Sequence, residues 1–200
     1  MLFNSPEFLL FLPIVFAAYW VMNRWTEERS GLRSQNLLLL IASYVFYGWW
    51  DWRFLGLIAF STAVDYAVGL QIARANAADR PDDSEHRSRI AKRWLAVSLA
   101  VNLGLLGYFK YANFFIDNWI EAWGTLGITM HAHSLQVILP VGISFYTFQT
   151  LSYSIDVYRR KLEPTRDFIE FAAFVSFFPQ LVAGPIERAS ALLPQIARRR

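Results

Sequence analysis

A carboxylic acid stands near the middle of an apolar run, Asp65 within residues 54–73. Ser61, Asp65 and Gly69 are spaced i, i+4 and i+8, so they share one face of a helix. That face suits either a cavity or proton-linked site, or a hydrogen bond that ties one helix to another. A second polar stripe lies further on: Tyr146, Gln149, Tyr153 and Asp156 recur at helical spacing, with Ser144, Thr147, Ser152 and Ser154 elsewhere around the same helix. Such a helix lines a passage or is buried in a bundle, where hydroxyls and amides join neighbours. Pro179, Gly184 and Pro185 interrupt a third apolar stretch, residues 168–186. Irregular backbone in apolar surroundings is tolerated only where protein covers it or where it lines a water-filled cavity, so residues 179–185 are candidates for a cavity wall.

Other chemistry is poorly supported. His86 falls in a charged segment, and His131 and His133 lack a further Cys, His or carboxylate at metal-ligand spacing, so no metal is expected. Cysteine is absent, which removes disulfides and thiolate nucleophiles. There is no phosphate-binding P-loop, no G-x-G-x-x-G, no G-x-S-x-G elbow and no H-E-x-x-H.

The elements that must hold these residues follow from composition. Apolar residues make up 55% of the 200 and charged residues 18%. A soluble domain averages about 25% charged, so this chain lacks the groups to cover a wetted surface. The net charge of +3 is small and the basic residues lie between apolar runs, which argues against nucleic acid as a partner. The reading is an all-α, polytopic membrane bundle in contact with lipid.

A spanning helix needs about 20 mostly apolar residues. Candidates are residues 6–22, 36–50, 54–73, 94–116 and 140–158, giving about five spans, with 168–186 as a broken or re-entrant sixth segment. Ser5 is placed to cap the first, and Pro6 sits at its first position. No Lys or Arg precedes that span and bulky residues follow its small pair, so it reads as retained rather than as a signal peptide. Asp51, Trp52 and Arg53 form a tight turn between the second and third, and residues 75–93 read as a solvated loop. The connections after the first, third and fifth spans carry three, six and four basic residues, against Arg53 and Lys110 at the opposite end. Basic connections stay in the cytoplasm, which places the N-terminus outside. The basic residues at 198–200 then favour a re-entrant sixth segment over a full crossing.

Several stretches are distinctive: MLFNSPEFLLFLP at the start, SYVFYGWW, KYANFF at 110–115, LPVGISFYTFQTLSYSIDVYR, and FFPQLVAGPIER. In this order, from residue 1 to about 195, they resemble the membrane-bound O-acyltransferase (MBOAT) family, and most of all its bacterial alginate O-acetylase branch. The resemblance implies a multi-pass protein of the bacterial inner (cytoplasmic) membrane that passes an acyl group from a cytoplasmic thioester to a hydroxyl. The donor would be acetyl-CoA or an acyl carrier thioester, with no cofactor bound. The acceptors would be periplasmic acetyltransferase partner proteins and finally an exopolysaccharide such as alginate.

In the family a histidine near the neck of a central funnel is the general base, and it lies beyond the last residue of this sequence. The resemblance therefore implies that residues 1–200 are the N-terminal part of one acyltransferase domain, without the C-terminal half and its catalytic histidine. No residue of this chain is assigned a catalytic role. Acyl transfer needs a base for the alcohol proton and donors for the oxyanion. What this part can offer is passage-lining groups: Asp65, Tyr146, Gln149, Tyr153, Asp156, Pro179, Gln180, Gly184 and Pro185. Arg159, Arg160 and Lys161 could meet an acidic carrier or a CoA phosphate, though the positive-inside rule already accounts for them. A non-enzymatic membrane component, a transporter-like passage or an assembly subunit, would use the same broken segment and polar span.

Overall fold

The computed structural model describes residues 3–25, 28–77, 84–125, 137–181, 184 and 187–198. Among them every regular element is a helix: α1 (Pro6–Trp25), α2 (Glu28–Asp51), α3 (Arg53–Ala77), α4 (Ser84–Thr125), α5 (Ile143–Tyr158), α6 (Phe168–Ser176), α7 (Phe178–Leu181) and α8 (Ala189–Ile196). Helix α3 and residues 85–125 of α4 are long and apolar enough to cross a membrane, while Pro6–Met22 and Phe168–Leu181 are apolar but shorter. Bulky side chains point outward, among them Leu9, Leu10, Ile14, Phe16, Trp52, Phe114 and Phe115. A surface of that kind belongs in lipid.

Local signals set the helix ends. Ser5 Oγ accepts from the Phe8 N–H at 3.3 Å, and Pro6 opens α1. The α2–α3 turn is a single residue, Trp52, because Asp51 accepts both the Arg53 backbone N–H at 2.9 Å and its guanidinium at 2.6 Å. Before α5, Pro140–Ile143 makes a turn closed by Ile143 N–H on the Pro140 carbonyl. Gly142 holds φ +79°, and a Cβ there would lie 3.1 Å from the Leu181 carbonyl oxygen. Only glycine meets both demands without strain.

Three connections differ from the sequence reading. The first shortens because α2 begins at Glu28 rather than at residue 36. Residues 75–77 complete α3 and α4 is already helical from Ser84, so 75–77 and 84–93 are helix where the sequence reading had a solvated loop; residues 78–83 lie outside the described residues. At its other end α4 runs on to Thr125. Its 42 residues, at a rise of about 1.5 Å each, exceed the thickness of a bilayer core of about 30 Å. The polar residues at 84–93 had masked the helix, since Glu85 and Arg89, paired at 2.6 Å one turn apart, suit a solvated helix as well as a loop.

Helices α6 to α8 form a hairpin that doubles back on itself. At its start Arg33 of α2 pairs with Asp167 at 3.5 Å. Half-way along, Ser43 of α2 accepts from the Phe178 N–H at 3.2 Å. At its end Asn36 of α2 donates to the Ile196 carbonyl at 3.3 Å. Arg33 and Asn36 are one turn apart, so the segment enters and returns at one level of α2. The nine residues of α6 reach about 14 Å, roughly half of the hydrocarbon layer.

Candidate functional site

The candidates fall into two groups on opposite sides of α5, whose residues are all buried or half-buried except Phe148. On one side α3, α4 and α5 meet at Asp65, which is fully buried. Ser98 Oγ donates to its Oδ1 at 2.6 Å, and Asn102 Nδ2 donates to Oδ2 at 2.8 Å and Oδ1 at 3.0 Å. Ser154 Oγ lies at 3.5 Å. The Asn102 carbonyl oxygen in turn accepts from Ser61 Oγ and Thr150 Oγ1, each at 3.1 Å. Three helices are thus joined through one carboxylate and one amide. One turn further along α3, Gly69 lets the Tyr153 ring lie against the helix backbone: a Cβ there would be 2.6 Å from Tyr153 Cε1.

On the other side of α5 the α6–α7 break is supported atom by atom. Phe177 leaves helical geometry with ψ 100°, so the backbone bond that would join Phe178 to Phe174 is not made. Phe178 N–H goes instead to Ser43 Oγ, and the Phe174 carbonyl accepts from Gln149 Nε2 at 2.9 Å. Gln149 Nε2 is also 3.4 Å from Gln180 Oε1. Gly184 folds back tightly, since a Cβ there would meet Gln180 Cα at 2.9 Å. The first N–H of α8, from Ala189, is taken by Ser152 Oγ at 3.1 Å. Freed backbone groups in an apolar layer must be satisfied by protein, and α2 and α5 supply the side chains.

Of the remaining candidates, Tyr146 and Tyr153 are buried, and their hydroxyls have no hydrogen-bond partner among the described residues; the same holds for Tyr47. Asp156 is 8% exposed and its Oδ2 is likewise without a partner. Pro179 is exposed on α7. Pro185, with His131 and His133, lies outside the described residues. The structure therefore brings Gln149 to Gln180 and joins Asp65 to Ser154 and Thr150, but it does not gather the candidates at one point.

Sequence reasoning missed the partners. Ser98 and Asn102 are spaced i, i+4 within an apolar run, the signal that had picked out Ser61 and Asp65. Applied to 94–116, it would have paired the two helices. Ser43 gave no such signal, because a lone serine in an apolar helix usually bonds its own backbone.

The chain resembles curated proteins along its whole length. It is 45% identical over 200 residues to the probable alginate O-acetylase AlgI of Pseudomonas aeruginosa, covering all of this chain and 35% of that protein. It is 43% identical over 200 residues to the corresponding protein of Azotobacter vinelandii, covering 36% of it. The peptidoglycan O-acetyltransferase of Helicobacter pylori is 32% identical over 220 residues, with 98% of this chain and 38% of that protein covered. The chain thus spans little more than a third of the length of these relatives, and matches their N-terminal part. No protein-family model matches this chain. No solved structure matches it either.

Proposed function

Because this chain belongs to the membrane-bound O-acyltransferase family, we propose that it is the N-terminal part of an enzyme that O-acetylates a cell-envelope glycan. The observation that carries this reading is the 45% identity to a probable alginate O-acetylase over all 200 residues. The acyl donor would be a cytoplasmic thioester, acetyl-CoA or an acyl carrier. The acceptors would be periplasmic partner proteins and an exopolysaccharide of the alginate type. In this reading all 200 residues form part of one membrane domain, and the family resemblance implies that its catalytic histidine lies in the sequence that follows.

In this reading α1 to α5 cross the inner membrane, with the N-terminus outside, and α6 to α8 are a re-entrant hairpin from the cytoplasmic side. The return of Ile196 to the level of Arg33 supports it. So do the basic residues at the same end of the bundle, Arg33, Arg74, Arg87, Arg159 and Arg166. The helix break at mid-depth belongs to the passage between the two faces. Gln149, Gln180 and the hydroxyls of Tyr47 and Tyr146 line it once later helices close the opposite wall. Those hydroxyls would donate to an acyl oxygen or an incoming alcohol in a site of low dielectric constant.

The test is chemical. The full-length protein, expressed in an alginate-producing strain lacking its own acetylase, should restore base-labile acetate on the polymer. Replacing the intramembrane histidine of the following sequence should abolish it. Polymer acetylation that survived that replacement would end the acyltransfer reading. Topology is tested separately by Arg199→Cys, which should react with a membrane-impermeant thiol reagent only after the membrane is opened.

A further inference from the structure

The basic end of the bundle contains a built cavity, and we propose that it binds a phosphate group. The cavity measures about 340 Å³ and opens between the end of α3, the start of α4 and the end of α5. Its wall includes Arg87 and Ser88 of α4, Asn76 of α3, and Arg159 and Arg160 beyond α5. Three arginines line it and, among the described residues, no carboxylate does; Glu163 first enters in the adjoining hollow of about 420 Å³. Each guanidinium offers a planar fork of donors that fits phosphate oxygens, and three of them suit a group with several anionic oxygens better than a carboxylate.

Two further features single this place out from a merely basic face. Arg87 Nη2 is buried yet has no hydrogen-bond partner among the described residues. Such a donor calls for an acceptor, because an unmet buried polar group is costly. The second feature is the end of α5, a six-residue Schellman turn. Lys161 N–H bonds the Asp156 carbonyl at 2.8 Å and Arg160 N–H bonds the Val157 carbonyl at 3.0 Å. The residue at its left-handed position is normally glycine, but here it is Arg160 with φ +58°. Glycine would form the same turn without strain, but it would not carry a guanidinium into the wall of the cavity. Local rules broken in this way tend to mark functional positions.

Two sources could supply the phosphate: the headgroup of an anionic lipid in the adjacent leaflet, or a soluble organic phosphate. Basic pockets between membrane helices are suited to the first. This inference does not rest on the acyltransfer reading, since a transporter or assembly subunit could hold the same group.

The experiment uses the full-length protein in two arms. Native mass spectrometry compares retention of phosphatidylglycerol with phosphatidylcholine, and calorimetric titration measures inorganic pyrophosphate in a neutral detergent. The double variant Arg87→Gln/Arg160→Gly should lose about tenfold or more in affinity, since hydrogen bonds to charged groups are strong. Arg89→Gln/Lys92→Gln removes the same charge from α4 outside the cavity and should keep nearly all of it. Arg160→Gly alone should bind more weakly yet melt no lower than the parent, which separates ligand contact from folding. Loss confined to phosphatidylglycerol assigns the lipid, and loss confined to pyrophosphate assigns a soluble phosphate. Equal losses in the two double variants, or no binding of either probe by the parent, would overturn the proposal.

Discussion

Two seams hold this bundle together, and they are made of opposite materials. Between α3, α4 and α5 the contact runs through Asp65, Ser98, Asn102, Thr150 and Ser154. Between α1, α2 and α7 it runs through rings. Phe8 and Phe46 lie with centroids 5.9 Å apart, Phe46 and Phe178 5.3 Å apart, and Phe11 and Phe178 5.4 Å apart. In lipid the hydrophobic effect does not drive one helix onto another, so both seams must rely on fit and on hydrogen bonds. Rings fit in many ways, and edge-to-face and tilted pairs are close in energy. A carboxyl group facing three specified hydrogen-bonding groups fits in one way. The polar seam therefore fixes rotation and depth, while the aromatic seam supplies contact area.

The contrast is sharpest when one side chain in each seam is replaced by leucine. Asn102→Leu should be the most damaging single change, since it removes both Asn102 bonds to Asp65 and the amide oxygen that accepts from Ser61 and Thr150. Each buried polar group left without its hydrogen bond costs about 1–3 kcal/mol. Phe46→Leu in the other seam leaves only a small apolar cavity and no polar group unmet, so it should cost less. Thermal unfolding of the full-length protein in one detergent gives both values, and similar losses would mean that the seams do not differ in kind. The double change Asp65→Leu/Asn102→Leu should then be milder than the sum of its singles. Removing both polar partners leaves neither group of the pair unmet, and contacting residues couple by about 0.5–3 kcal/mol.

Next in size is the close approach on the far side of Asp65. Gly69→Ala would put a methyl 2.6 Å from Tyr153 Cε1 and 2.7 Å from its hydroxyl. The ring must shift, at a cost of about 1–3 kcal/mol for overpacking. Tyr153→Leu in the same protein should recover part of that loss. Full additivity in a double-mutant cycle would show that the two positions are not in contact. At the mid-depth break, Gln149→Leu leaves the Phe174 carbonyl without its donor. It should cost about 1–3 kcal/mol, read as earlier unfolding and as faster amide exchange in α6.

These experiments also bear on what could be read without coordinates. Helix class, the first and third helices and the broken stretch after Phe168 were legible, because long apolar runs and proline breakers act locally; the start of α2 at Glu28 was not, because its first turns are polar. Asp65 stood out because a carboxylate in an apolar run must find a partner. Which partner was another matter. Asp65 and Asn102 are 37 residues apart, and no local rule says which faces of α3 and α4 meet. The replacement of one backbone bond by Ser43 and Gln149 is similarly invisible, since it depends on three helices arriving at one depth. The length of α4 was missed for a different reason: its polar first turns satisfy the requirements of a loop as well as those of a solvated helix.

The smallest expected effect comes from the same functional group moved into water. Asp51 and Arg53 clasp at the α2–α3 turn with a 2.6 Å bond, geometry as good as any in the Asp65 seam. The Arg53 side chain, followed by its backbone N–H, holds the Asp51 carboxyl below the ordinary carboxylate range. The charged form is the one favoured by folding. Its contribution is therefore complete above the ordinary carboxylate pKa of about 3.9 and fades only as the pH falls through the lowered value. Water solvates both partners almost as well in the unfolded chain, and salt screens the pair. Asp51→Asn should thus shift the melting temperature far less than any change in the polar seam. What shift there is should vanish at high salt and on acidification below the carboxylate range. A loss at Asp51 comparable to that of Asn102→Leu would mean that hydrogen-bond geometry alone sets the strength of these contacts. The expected gap instead ties the strength of the Asp65 seam to the layer around it, where a stranded carboxylate has no water to return to.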